Sequence, residues 1–154
     1  MLKASEVLGM VVISLQDGDE VGTVSRLVTD RSGRTVGLVL NQRNWYEPIR
    51  MVPYSFVRGI SKDAVVIENE SSVFLLSELP DVMAIVASSS DLLGLRVLST
   101  AGEALGTVSG YAIDGKSGKV EEYVISRPSE GGKVAMIASD RVVAIGRKVI
   151  IVSS

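Results

Sequence analysis

Gly22-Thr23-Val24-Ser25 recurs letter for letter as Gly106-Thr107-Val108-Ser109, and that repetition decides how the rest of the chain is read. Upstream, Ser5-Glu6-Val7-Leu8-Gly9 returns as Ser90-Asp91-Leu92-Leu93-Gly94. Downstream, Asp30 answers Asp114, Gly33-Arg34 answers Gly118-Lys119, Val39-Leu40 answers Val124-Ile125, Ile60 answers Ile145, and Val65-Val66-Ile67 answers Ile150-Ile151-Val152. Equivalent positions lie 84 or 85 residues apart, a period that marks a duplicated structural unit. The one early slip falls at Asp17-Gly18-Asp19-Glu20, and turns are where a duplicated fold tolerates a change of length. Similar composition alone would not keep glycines, aspartates and turns in register. The chain therefore reads as one unit over residues 1-70, a connector over 71-89 and a second unit over 90-154.

Each unit carries strand signals. Val and Ile together number 35 and Gly 15, and the apolar runs are short and punctuated by Gly, Asp, Ser and Asn, as strands and turns require. Strands are expected at Met10–Leu15, Val21–Asp30, Val36–Arg43, Ile49–Pro53 and Ala64–Glu68. They are expected again at Arg96–Ser99, Ala104–Asp114, Lys119–Arg127, Val134–Ala138 and Val149–Val152. The short turns between them favour antiparallel hairpins, because parallel neighbours need crossovers of about a dozen residues. Gly22, Gly37 and Gly106 fall inside strand patterns, where glycine marks a bulge or bend that curls a small sheet.

The expected fold class is all-β and mainly antiparallel: two small β-barrel lobes from an internal duplication, with a short helical connector. The expected core holds Val12, Val24, Val39 and Val66 in one lobe and Val97, Val108, Val124 and Ile151 in the other. In the connector, Pro80 stands in the first turn of a helix and Val82-Met83-Ala84-Ile85-Val86-Ala87 has no polar face. It is expected to be helical and buried between the lobes, because an apolar patch of that size is unusual on a surface.

The segments Ala4-Ser5-Glu6-Val7-Leu8-Gly9, Val21-Gly22-Thr23-Val24, Gly37-Leu38-Val39-Leu40, Val52-Pro53 and Asp63-Ala64-Val65-Val66-Ile67 together resemble the PRC-barrel family. The second unit carries the same signature in Leu93-Gly94, Gly102-Glu103-Ala104-Leu105-Gly106-Thr107-Val108, Ile113-Asp114 and Ser117-Gly118-Lys119-Val120. The resemblance implies a small β-barrel-like domain that docks onto partners and carries no active site. Such domains occur in the photosynthetic reaction-centre H subunit, in a ribosome-maturation factor and in an archaeal division protein. Two positions after the Gly-x-Val of this family an acidic residue is common, and here those places hold Arg26 and Gly110.

Composition narrows the chemistry. There is no Cys and no His, which removes thiolate and imidazole from both catalysis and metal binding. No catalytic, cofactor or metal site is expected. Glu121-Glu122 are adjacent on a strand and point to opposite faces, so they cannot flank one bond. Asp17-Gly18-Asp19-Glu20 lacks the continuing alternate ligands of a calcium loop and reads as a hairpin turn. Asp30 and Asp114 stand ahead of turns, where a carboxylate accepts backbone N–H bonds. The formal net charge is −2 and the pI about 5.2, without the basic stripe that drives nucleic-acid binding. The longest uncharged runs, Val7 to Gln16 and Ala104 to Ile113, are ten residues, short of the roughly 20 of a spanning helix. No export signal is visible in the opening residues, and a cytoplasmic location is expected.

The function expected is a non-enzymatic protein-interaction or assembly adaptor. Its partner is another protein or a second copy, and peripheral association with a membrane complex is compatible with it. The alternatives are an RNA- or ribosome-associated role using the arginines of the first unit, which include Arg26, Arg34 and Arg43, and a small ligand held between the lobes. The third-to-fourth strand hairpins have equal lengths but different tips, Arg43-Asn44-Trp45-Tyr46-Glu47-Pro48 against Pro128-Ser129-Glu130-Gly131-Gly132-Lys133. Trp and Tyr are usually well buried, so Trp45 and Tyr46 are expected to fold back and close a barrel end. If exposed, Arg43, Trp45 and Tyr46 are the expected docking surface, since Arg and aromatic residues dominate interface hot spots.

Overall fold

In a computed structural model, which describes residues 1–88, 91–127 and 131–153, the chain forms fourteen strands and two α-helices. They are β1 (Leu2–Lys3), α1 (Ala4–Val7), β2 (Val11–Ser14), β3 (Glu20–Thr29), β4 (Thr35–Leu40), β5 (Arg50–Pro53), β6 (Val57–Ile60), β7 (Val65–Ile67), β8 (Phe74–Leu75) and α2 (Pro80–Ser88). The second half supplies β9 (Arg96–Ser99), β10 (Ala104–Ile113), β11 (Val120–Arg127), β12 (Lys133–Ala138), β13 (Val142–Ile145) and β14 (Val149–Val152).

Strand order shows the duplication directly. One sheet runs β6-β7-β2-β3-β4-β5-β8 and the other β13-β14-β9-β10-β11-β12, so six strands of each have counterparts in the same place, while β8 beyond β5 and β1 on β10 have none. Irregularities repeat as well. Val12 pairs with Gly22 and Ile13 with Glu20, leaving Val21 over; Val97 pairs with Gly106 and Leu98 with Ala104, leaving Leu105 over. A second bulge releases Ser25 and Ser109, whose hydroxyls donate to the carbonyls of Val39 and Val124 at 3.2 and 3.3 Å. Such bulges bend and twist a strand, which is how each small sheet curls on itself.

One expectation about pairing is corrected. Each lobe contains a parallel pair, β2 with β7 and β9 with β14. The crossover that parallel strands need is supplied by the four intervening strands of the lobe, a path far longer than the turn between consecutive strands.

The core expectation is half right. Val12, Val24, Val97 and Val108 are buried, but Val39, Val66, Val124 and Ile151 lie half-buried on the opposite faces of their strands. Their neighbours Leu38, Leu40, Val65, Ile67, Tyr123, Ile125, Ile150 and Val152 fill the barrels instead. A run of consecutive apolar residues has no alternation, so it does not reveal which phase faces inward.

The lobes meet through their β3–β4 and β10–β11 turns. Thr35 N–H donates to Gly118 O and Val120 N–H to Gly33 O, both at 2.8 Å, bridging Arg34 with Lys119. Arg34 meets its own equivalent, Lys119, and the two flanking bonds are equivalents of each other, as at a two-fold axis. Tyr54 adds a hydroxyl bond to Gly115 O at 2.7 Å, and β1 leaves the first lobe altogether to pair with β10, Leu2 opposite Ile113. The turns are held as expected: Asp30 accepts the Ser32 and Arg34 N–H groups, and Asp114 accepts the Ser117 hydroxyl and the Lys116 N–H. These bonds, the Ser117 hydroxyl foremost, hold Asp114 below the ordinary carboxylate range.

The connector corrects another expectation. It is helical over Pro80–Ser88, but none of its residues is buried; Val82, Ile85 and Val86 are half-buried and Met83 is exposed. The lobe junction is already filled by the bridged turns, Tyr54 and Tyr123, which leaves no room for a helix between them. Ser89, Ser90 and the repeat-two tip at Pro128, Ser129 and Glu130 lie outside the described residues. Among the described residues no helix is long and apolar enough to cross a membrane.

Candidate interaction surface

Nine residues, 41–49, connect β4 to β5, and their backbone is tied at both ends. Asn41 N–H donates to Thr23 O at 2.9 Å while its side-chain oxygen accepts the Thr23 N–H at 3.1 Å. At the other end Ile49 O accepts the Leu76 N–H at 2.8 Å. Inside the loop Glu47 is the organiser. Its carboxylate accepts the Arg43 N–H at 3.0 Å and the Asn44 side-chain amide at 3.5 Å. Its backbone N–H donates to Asn44 O at 3.1 Å, and its carbonyl accepts the Gln42 side chain. A loop closed this way directs its middle residues outward.

Trp45 is 91% exposed and Tyr46 69% exposed, the expectation that they fold back onto a barrel being wrong. The two rings touch each other edge to face, with centroids 5.7 Å apart and planes at 87°, a favoured aromatic arrangement. Loop length and residue type were visible in the sequence; the Glu47 network that turns the aromatic pair outward was not, although an acidic residue four after Arg43 was the signal available.

The five residues singled out from sequence do not form one patch. Arg43, Trp45 and Tyr46 share the exposed loop. Arg34 lies at the other end of β4, on the inter-lobe bridge. Arg26 is half-buried on β3 opposite Val39 and near Tyr111 of the second lobe. Burial holds the Tyr111 phenol above its ordinary range, with Asp91 and Tyr123 adding to the shift and the Arg26 charge opposing it. Other arginines of the first lobe have separate partners: Arg31 donates to Ser88 O, Arg50 to Val21 O, and Arg58 pairs with Glu68.

What the loop can do follows from its composition. Aromatic side chains bury about 150–250 Å² each, and burial contributes about 25 cal/mol per Å². Two of them on a hydrogen-bonded loop lose little rotamer freedom on docking, which lowers the cost of association. Arg43 beside them adds a charge able to pair with a carboxylate.

Comparison with known families bears on the whole chain. The model of the PRC-barrel domain matches it twice, over residues 1–73 and over residues 85–154. No curated protein matches the sequence.

Proposed function

The chain belongs to the PRC-barrel family, once in each lobe, and on that premise we propose that it is a non-enzymatic docking module that engages another protein through the Trp45–Tyr46 loop. The reading rests on one observation above others: two large aromatic side chains stand in solvent on a loop whose backbone is internally hydrogen-bonded. Isolated exposed hydrophobic residues are ordinary, but an adjacent Arg-Trp-Tyr set has the composition of an interface hot spot. The partner surface that fits it is an apolar pocket with an acidic rim, complementary to the rings and to Arg43. The absence of His and Cys and the lack of a convergent acid, base and nucleophile among the described residues support a role without chemistry of its own.

The test compares the native chain with a Trp45→Ala, Tyr46→Ala double variant in affinity purification from the native organism. The expected outcome is an unchanged melting temperature, because the rings touch little of their own fold, together with loss of the proteins captured reproducibly by the native chain. A large loss of stability with capture intact assigns the rings to packing and overturns the reading. Reproducible capture of nothing by the native chain also overturns it.

A further inference from the structure

The two lobes share one strand order but not one surface. On the outer face of the first sheet, strand register places Arg26, Val39 and Met51 side by side, with Val28 beside Gly37. The same places in the second sheet hold Gly110, Val124 and Met136, with Ala112 beside Glu122. Met51 is 0% exposed and its equivalent Met136 is 67% exposed.

Two differences account for this, the covering of the strand edge and the residue beside the methionine. β8 runs antiparallel along the edge of β5 with Phe74 opposite Met51, and Phe74 is itself held by Phe56, ring centroids 5.3 Å apart. Gly37 lets the Met51 side chain lie over it, since an added Cβ would come 2.0 Å from the Met51 methyl group, whereas Glu122 blocks that path for Met136. Among the described residues nothing pairs with the outer edge of β12. The face there opens into a groove of about 700 Å³, lined among others by Met1, Leu8, Val124 and Met136.

We propose that β12 takes up an extended segment of another protein, paired antiparallel as β8 pairs with β5, with an apolar side chain on Met136 and a basic side chain towards Glu122. An unpaired strand edge with apolar residues is a template for an added strand. Apart from Lys133 at its start, β12 carries no charge to blunt that edge. Glu6 and Glu122 line the groove with Lys3 and Met1; Glu6 accepts the Lys3 N–H at 3.0 Å, whereas Glu122, opposite Ala138 of β12, is the carboxylate placed to meet a basic side chain of the guest. The first lobe shows what the edge accepts, a two-residue aromatic-aliphatic strand. Within this chain that strand is already paired with β5, so it is not available to the second lobe, and the guest proposed is a like segment of a different protein. This site lies in the other lobe from the Trp45–Tyr46 loop and stands whether or not that loop docks.

The probe is a synthetic peptide of residues 71–78 carrying Ser72→Lys, titrated into the isotope-labelled full chain and followed by amide resonances. Continuing the register of β8, the residue at position 74 falls opposite Met136 and the one at position 72 opposite Ala138, which neighbours Glu122. Shifts confined to Val134–Ala138 and the neighbourhood of Glu122 are expected, with affinity reduced about tenfold by Met136→Asp, an exposed site that leaves folding intact. A peptide carrying Ser72→Glu is expected to bind the native chain more weakly and the Glu122→Lys chain more tightly. The proposal is overturned if millimolar peptide leaves β12 unshifted, if it shifts β5 and β8 instead, or if the charge-swapped pairs bind alike. Sedimentation as a dimer that Met136→Asp dissolves also overturns it, by showing that a second copy takes the edge.

Discussion

Gly106 and Gly22 occupy equivalent bulges, yet an added methyl group meets different neighbours at each. At Gly106, with φ +141°, it would lie 2.3 Å from the Ser126 carbonyl oxygen and 2.9 Å from an Ile125 methyl group. At Gly22, whose φ of +158° is nearly extended, the closest atom is a Leu40 methyl group at 3.4 Å. Backbone cannot swing aside as a side chain can, so Gly106→Ala is expected to cost about 3 kcal/mol or more and Gly22→Ala about 1 kcal/mol. Denaturant midpoints of the two variants check the ordering; equal losses would show that the second lobe relaxes around the methyl group. Residue identity alone made the two glycines look interchangeable. For the same reason the fate of Trp45 was not legible, because exposure depends on the hydrogen bonds Glu47 makes rather than on the tryptophan.

Among the elements, strands that form long paired runs were legible and those that depend on neighbours were not. Arg96–Ser99 and Val149–Val152 were bounded correctly, and β3 and β10 to within a residue or so. β1 and β8, two residues each, exist through the edges they pair with, and β6 and β13 were missed because Arg58 and Gly59 break the apolar pattern in one and the other is a four-residue run set off by Ser139-Asp140-Arg141. The contrast between β5 and β12 was partly visible, since aligning the repeats already set Arg26 against Gly110 and Gly37 against Glu122. What no alignment supplies is that β8 covers one edge and nothing described covers the other. The consequence is measurable: Met51→Ala is expected to cost about 2–4 kcal/mol and the equivalent Met136→Ala under about 0.5 kcal/mol, read as shifts in thermal or denaturant midpoint. Similar losses at both would mean that β12 is covered in solution.

For the molecule as a whole, the junction between lobes carries two tyrosines whose ionisation opposes it. Burial, and after it the Asp114 carboxylate, pushes the Tyr54 phenol up to about 12, and burial does the same for Tyr123. An unfolded chain releases these protons near pH 10, so between about pH 10 and pH 12 the unfolded state binds fewer protons than the folded one. Stability is therefore expected to be flat with respect to these groups below pH 10 and to fall as pH rises towards 12. Denaturant midpoints across that range should decline, with a shallower slope in a Tyr54→Phe, Tyr123→Phe chain; identical slopes would show that the phenols do not govern the junction. The pairing of β1 with β10 has a consequence for the ribosome. At synthesis rates of about 5–20 residues per second, Leu2 emerges roughly 5–20 s before Ile113. A nascent chain can complete the first lobe while its leading strand still waits, and the second lobe closes by accepting that strand last. A strand made ahead of the first lobe thus acts as a clasp that shuts only once the second lobe has been made.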